Sequence, residues 1–152
     1  MVAKRASLRQ MVPAVVILFL LLASAGCTSV RLVAEYDKRT DDEITALQKK
    51  TEVFLNAMER TAGTPEGGYE KHVNFYDTIK ADVNVLVVRA GALSLNVLTT
   101  QQLQLLGKSI GALEEQHRRG LTPPMIEPVR QALQTHYAAI LTLEVAKKTN
   151  NR

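Results

Sequence analysis

The sequence is poor in the residue types that disulfides, zinc sites and haem attachment require. Its 152 residues include one cysteine, no tryptophan and only 5% aromatic residues. A single cysteine excludes a disulfide within the chain, paired-cysteine zinc sites and the two-cysteine motif that attaches a c-type haem. The fold must therefore be held together by apolar packing, and the one cysteine needs another explanation.

Motifs for hydrolysis, phosphate binding and metal-dependent catalysis are also missing. No G-x-S-x-G, H-E-x-x-H or phosphate-loop pattern occurs. Glu114 and His117 have the Glu-x-x-His spacing of dimetal sites in helical bundles, but the sequence lacks the second such pair that these sites need. We interpret Glu114 as solvated, and His117 as a positive charge that suits a helix C-terminus. We predict no metal, no cofactor, no catalytic residue and no enzymatic activity.

The first 26 residues contain no acidic residue and are ordered in three parts. Lys4, Arg5 and Arg9 give a positive beginning, residues 11–23 are an uninterrupted apolar run, and small residues follow. This order is typical of a secretory signal peptide. The apolar run has 13 residues, whereas a membrane-spanning helix needs about 20. We therefore predict that residues 1–26 are a cleaved signal peptide.

The residues around the single cysteine resemble the lipobox of bacterial lipoproteins. Ala25, Gly26 and Cys27 match the last three positions of that motif, and Ser24 stands where leucine is usual. The resemblance implies lipidation of Cys27, cleavage before it, and membrane attachment through several acyl chains. Thr28 rather than aspartate follows the cysteine. In the sorting that the resemblance implies, this residue directs the protein to the periplasmic face of the outer membrane.

A second cleavage site lies within the same segment. Ala23 and Ala25 form an A-x-A site, at which ordinary signal peptidase would release a soluble secreted protein that begins at Gly26. That protein would carry an unpaired thiol in an oxidising compartment, which is unfavourable. The position of Cys27 therefore favours the lipoprotein interpretation.

The basic character of the chain belongs mainly to the signal segment. That segment carries three of the 19 basic residues and none of the 15 acidic ones, so 16 bases and 15 acids remain in residues 27–152. A nearly neutral, exported chain gives no support for a nucleic-acid partner.

Four segments of the mature chain have the apolar spacing of amphipathic helices. The predicted core residues are Ile44, Leu47, Thr51, Phe54 and Met58; Tyr69, Val73, Tyr76, Val83, Leu86 and Ala90; Leu103, Leu106, Ile110, Leu113 and His117; and Val129, Leu133, Tyr137, Ile140 and Leu141. Short connections predict antiparallel neighbours. The predicted fold class is all-α, an up-down four-helix bundle over residues 41–148. Residues 27–40 would be the lipid anchor with a tether or helix extension, and residues 149–152 a tail.

Local signals predict where the helices begin and how closely they approach. Two pairs have capping-box spacing, Thr40 with Glu43 and Thr99 with Gln102. Pro128 suits a first helical turn, so the fourth helix is predicted to begin there. Gly107 and Gly111 predict close approach of a neighbouring helix of the bundle or, alternatively, of another protomer.

The up-down topology predicts two ends with different roles. The first helix begins and the fourth ends at the lipid-anchored end. The residues placed there are the loop 95–98, Lys147, Lys148 and Arg152. The opposite end presents Arg118 and Arg119, which are candidate partner-binding residues, although paired cations also complement a helix C-terminus.

These patterns favour a membrane-tethered bundle that binds or assembles with another envelope protein through the end remote from the membrane. A small-ligand or metal-binding bundle is the alternative, and it would have an internal cavity lined by His72, Tyr76 or His136. An enzyme that acts on an envelope polymer would need clustered carboxylates in a cleft, which amphipathic spacing does not indicate.

Overall fold

Four long helices make up most of residues 33–150, the part of the chain that the computed structural model describes. They are α1 (Lys38–Thr61), α2 (Val73–Ala92), α3 (Val97–Gly120) and α4 (Pro123–Asn150). Two 3-10 turns, Pro65–Gly67 and Tyr69–Lys71, connect α1 to α2. Helix α1 packs against α4, α4 against α3, and α3 against α2, while α1 and α2 touch less extensively. The predicted fold class, an all-α up-down four-helix bundle, is confirmed.

The predictions for the N-terminal segment lie outside the described residues. They concern the signal peptide over residues 1–26, the lipidation of Cys27 and the chain that leads to Val33. Between Val33 and Asn150, no helix is long and apolar enough to cross a membrane.

The core lies along the four predicted apolar faces. Every predicted core residue is buried except Tyr69, Val73, Val129 and Leu141, which are partly exposed. Burial of one such apolar side chain stabilises the fold by about 1.5–3 kcal/mol. The buried hydroxyl groups of Thr51 and Tyr137 lie 2.7 Å apart and form a hydrogen bond between α1 and α4. These two hydroxyl groups within the core thereby find a partner.

Both predicted capping boxes are wrong, because another residue precedes each helix. The N-cap of α1 is Asp37, whose carboxylate accepts a hydrogen bond from a backbone N–H of the first turn. Thr40 lies inside α1, and its hydroxyl donates to Asp37. The N-cap of α3 is Asn96, while Thr99 is buried and donates to Glu144. Thr40 therefore supports the N-cap residue and Thr99 bonds to another helix, so neither threonine caps a helix.

The fourth helix begins at Pro123, earlier than the predicted start near Pro128. Pro123 occupies the first helical position, where a missing N–H is tolerated. Pro128 lies inside α4, in a place where proline costs one backbone hydrogen bond. Ile126 is almost fully buried, and its packing holds this turn against the bundle. Tertiary contact has therefore overridden the local signal of Pro128.

The two glycines of α3 have different surroundings. A Cβ at Gly107 would lie 3.4 Å from the Val83 side chain of α2, whereas a Cβ at Gly111 would meet nothing within 4 Å. The predicted close approach within the bundle therefore holds at Gly107 and is wrong at Gly111.

Substitution of alanine for Gly111 and for Gly67 is expected to change the stability of the fold in opposite directions. Gly111→Ala should raise the free energy of unfolding by about 1 kcal/mol, since alanine suits a helix interior better than glycine. Gly67→Ala should lower the free energy of unfolding by about 1–3 kcal/mol, because its Cβ would clash with the Thr61 backbone oxygen. Urea denaturation of both variants measures the difference, and changes of the same sign would contradict the described packing.

Candidate functional site

The two ends of the bundle differ in chemistry. We define the proximal end as residues 33–37, 93–99 and 143–149, where the described chain begins. The distal end comprises residues 62–72 and 114–123. At the proximal end the Arg89 guanidinium binds both carboxylate oxygens of Asp37, at 2.6 and 2.9 Å, and joins the end of α2 to the start of α1. This ion pair holds the first residues of the described chain against the bundle.

At the distal end, His117 fastens the connection between α1 and α2 to the core. Its Nε2 lies 2.7 Å from the Gly67 carbonyl oxygen, and its Nδ1 lies 2.9 Å from the Tyr76 hydroxyl. A carbonyl can only accept, so Nε2 carries the hydrogen; in the neutral ring, Nδ1 then accepts from the Tyr76 hydroxyl. Burial lowers the pKa of His117 and favours this neutral form. The predicted imidazolium at the helix end is therefore wrong.

Acidification is expected to weaken the fold through His117. Its pKa is depressed in the folded protein, so the unfolded chain, with a pKa of about 6.5, takes up the proton first as the pH falls. The stabilisation is complete above that value and is lost as the pH decreases toward the folded pKa. Between about pH 7 and about pH 5, the free energy of unfolding should fall by at most about 1.4 kcal/mol per pH unit.

The control for this pH dependence is His117→Gln. Its amide can still donate to the Gly67 carbonyl oxygen but does not titrate in this range. Urea denaturation at several pH values should give a flatter dependence in the variant than in the natural sequence. Identical slopes for the two proteins would contradict the role assigned to His117.

Glu114 is buried, which corrects its interpretation as a solvated carboxylate. Its Oε1 accepts hydrogen bonds from the Tyr69 hydroxyl at 2.9 Å and the Arg118 guanidinium at 3.1 Å. Its Oε2 accepts from the Lys80 ammonium at 2.8 Å. Burial alone raises the pKa of Glu114, but these three donors outweigh it and hold the pKa below its ordinary value. Glu114 therefore joins α2, α3 and the connecting turn as a charged structural group.

The two candidate partner-binding arginines differ in what they contact. The Arg118 guanidinium lies 4.5 Å from the centre of the Tyr69 ring and also bonds Glu114. Arg119 is 73% exposed and lies 3.6 Å from Glu115 on the same helix. Both side chains border a shallow depression of about 570 Å³ at the distal end. Arg118 therefore belongs to the Glu114 group, and Arg119 presents its charge to the solvent.

Two of the three histidines are neighbours at the distal end, where the ring centroids of His72 and His117 lie 5.6 Å apart, and His136 contacts a different group. His72 Nε2 lies 3.2 Å from the Glu66 carbonyl oxygen, and His136 Nε2 lies 3.0 Å from the Ser109 hydroxyl. Tyr76 bonds His117 and, like His72, packs against Phe54. Over the described range 33–150, no cluster of three His, Cys, Asp or Glu side chains is placed to hold a metal ion.

Polar side chains form a buried network at the proximal end. The Lys147 ammonium lies 2.5 Å from Glu144 Oε1, 2.5 Å from Asn96 Oδ1 and 2.8 Å from the Thr99 hydroxyl. The Asn96 amide donates to the Ala90 carbonyl oxygen at 3.1 Å. Lys147 lies at the end of the bundle predicted for it, but it is only 6% exposed and therefore does not present its charge on the surface. Arg152, predicted beside it, lies outside the described residues.

Apolar side chains cover the outside of this buried network. Leu95, Val97 and Leu98 are each more than half exposed. Leu95 also has a φ of 61°, in the left-handed region that residues other than glycine rarely adopt. The sequence prediction placed these three residues at this end, but it missed the polar network beneath them. The one signal for that network was Asn96, a polar residue within the apolar segment 95–98.

Comparisons with known proteins identify no relative of this chain. Searches of protein-family profiles, curated proteins and solved structures return no match.

Proposed function

We propose that this chain is a lipid-anchored protein of the bacterial cell envelope that binds another envelope component through its distal end. Acyl chains on Cys27 would attach it to the periplasmic face of the outer membrane. The carrying observation is that Val33, six residues after the lipobox-like cysteine, lies at the proximal end beside the exposed apolar residues Leu95 and Leu98. A six-residue chain spans at most about 20 Å when fully extended, so the anchor would keep the proximal end near the membrane.

The distance between the two ends supports a binding role for the distal end. Helix α1 has 24 residues, and a rise of about 1.5 Å per residue makes it about 36 Å long. The distal end of an upright bundle would therefore stand well away from the lipid headgroups. It presents Arg119, the shallow depression beside it and the connecting turn to a partner in the periplasm.

The chemistry of the distal end also favours binding over catalysis. His117 is neutral and uses both ring nitrogens in structural hydrogen bonds. The Glu114 carboxylate is occupied by three donors. A general acid or base must reach the proton of a substrate, and both groups are already bonded within the bundle. Within the described residues, these contacts therefore leave neither His117 nor Glu114 free to act on a substrate.

Charge reversal at Arg119 is the sharpest test of this binding surface. Arg118 stays unchanged, because its loss would leave Glu114 with one donor fewer. Arg119→Glu should lower capture of the partner from cross-linked envelope membranes about tenfold, equivalent to about 1.4 kcal/mol. The measurement is quantitative mass spectrometry of the proteins that copurify with the full-length lipoprotein.

Lys108→Glu is the matched control for this experiment. Lys108 is another exposed cation of α3, located at mid-bundle rather than at the distal end. Reversal of its charge should leave capture nearly unchanged. Equal capture by both variants and the natural sequence would show that Arg119 is not part of the binding surface, and equal losses would point to a non-specific charge effect.

A further inference from the structure

The segment 93–99 reverses the usual distribution of side chains in a water-soluble bundle. Asn96 and Thr99 are 3% and 1% exposed, whereas Leu95, Val97 and Leu98 are between 53% and 64% exposed. Full burial of one such apolar side chain is worth about 1.5–3 kcal/mol. At these three neighbouring positions the side chains are more than half exposed, so the bundle does not gain this full stabilisation from them.

The buried network holds these apolar residues outward. Asn96 accepts from Lys147 and donates to the Ala90 carbonyl oxygen, so it cannot exchange places with Leu95 or Val97 without breaking both bonds. Unpaired buried polar groups of this kind cost about 1–3 kcal/mol each. The left-handed backbone at Leu95 adds strain that the surrounding contacts must maintain. The outward position of the apolar side chains is thus built into the fold.

The apolar surface continues to the residue where the described chain begins. Val33, Leu95 and Leu98 line one small depression of about 70 Å³ together with α4. Beside this surface, the exposed Lys148 ammonium lies 5.3 Å from the centre of the Tyr36 ring. An apolar patch with a neighbouring cation suits the boundary between acyl chains and lipid phosphates, where one cation contributes about 1 kcal/mol.

We infer that the proximal end docks on the bilayer surface, with Leu95, Val97 and Leu98 in contact with lipid. This inference rests on the proposed lipid anchor. The tether between Cys27 and Val33 is too short to carry Val33 more than about 20 Å from an acylated cysteine. The bilayer is therefore the apolar partner that the anchored protein meets at all times. Docking would hold the bundle upright and point the distal end into the periplasm.

Tryptophan fluorescence tests the contact directly, since the natural chain contains no tryptophan. Leu98→Trp places the reporter in the apolar patch. Val53→Trp is the matched control, because Val53 and Leu98 are both 63% exposed but Val53 lies at mid-helix in α1. The full-length lipoprotein is reconstituted in vesicles of phosphatidylethanolamine and phosphatidylglycerol, with and without brominated acyl chains. The intact mass, measured before the fluorescence, shows whether the protein is acylated.

Docking predicts strong quenching by brominated lipid and a blue-shifted emission for Leu98→Trp, with at least twofold weaker quenching for Val53→Trp. Val97→Trp should behave as Leu98→Trp does, which guards against a local effect of one substitution. Equal, weak quenching in acylated, vesicle-bound protein would overturn docking and leave the anchor intact. A blue shift without quenching, together with cross-linked dimers, would assign the patch to a second copy and overturn docking too. If the purified protein carries no acyl chains and does not associate with the vesicles, both the anchor and the docking that rests on it are overturned.

Discussion

Cys27→Ser is expected to abolish acylation of the protein completely. Serine has no thiol to receive the diacylglyceryl group, and the chain contains no other cysteine. Metabolic labelling with a radioactive fatty acid should therefore mark the natural protein and leave the variant unlabelled. The variant should also be uncleaved at residue 27, or be released in soluble form by cleavage after Ala25.

The matched control for this experiment is Ser29→Ala, a change two residues from the cysteine that leaves the lipobox-like residues intact. It should retain the label and the membrane attachment of the natural protein. Label that persists in Cys27→Ser would show that the acyl chains are attached at another residue and that the lipobox resemblance is misleading.

Lys147→Met is expected to destabilise the bundle by about 3–5 kcal/mol, because it removes one partner of a buried ion pair. Glu144 is fully buried, and its Oε1 depends on Lys147 and Thr99 for hydrogen bonds. Its Oε2 has no hydrogen-bond partner. Removal of the cation would leave the buried carboxylate without a countercharge, in a fold whose total stability is on the order of 5–15 kcal/mol.

A second substitution separates the ion pair from simple packing. Glu144→Leu combined with Lys147→Met should recover most of the lost stability, since apolar replacements of buried ion pairs are often neutral or stabilising. Lys148→Met, an exposed neighbour, should change the free energy of unfolding by less than about 0.5 kcal/mol. Urea denaturation distinguishes these cases. A double variant as unstable as Lys147→Met would contradict the described pairing.

The helices could be predicted because packing dominates their energetics. Leu103, Leu106, Ile110 and Leu113 repeat at helical spacing, and all four are buried on one face of α3. Local capping signals were weaker than this pattern. The capping-box spacing at Thr99 did not place the helix start, because burial against Glu144 decides the role of that residue.

The charged groups of both ends could not be interpreted from the sequence alone. Glu144 and Lys147 have the spacing of a solvated pair on a helix surface. Only the register between α3 and α4 shows that Asn96 and Thr99 face them. The same holds for Glu114, two of whose three donors come from residues 34 and 45 positions away in the sequence. Topology placed Arg118 and Arg119 at the distal end but gave no sign that Arg118 supports Glu114.

The most direct test of the lipid anchor is the intact mass of the mature protein purified from envelope membranes. We predict the mass of residues 27–152 plus a diacylglyceryl group and a further acyl chain, all located on Cys27 by fragmentation of the N-terminal peptide. An unmodified chain that begins at Gly26 would contradict the account, because it would show release by ordinary signal peptidase as a soluble protein.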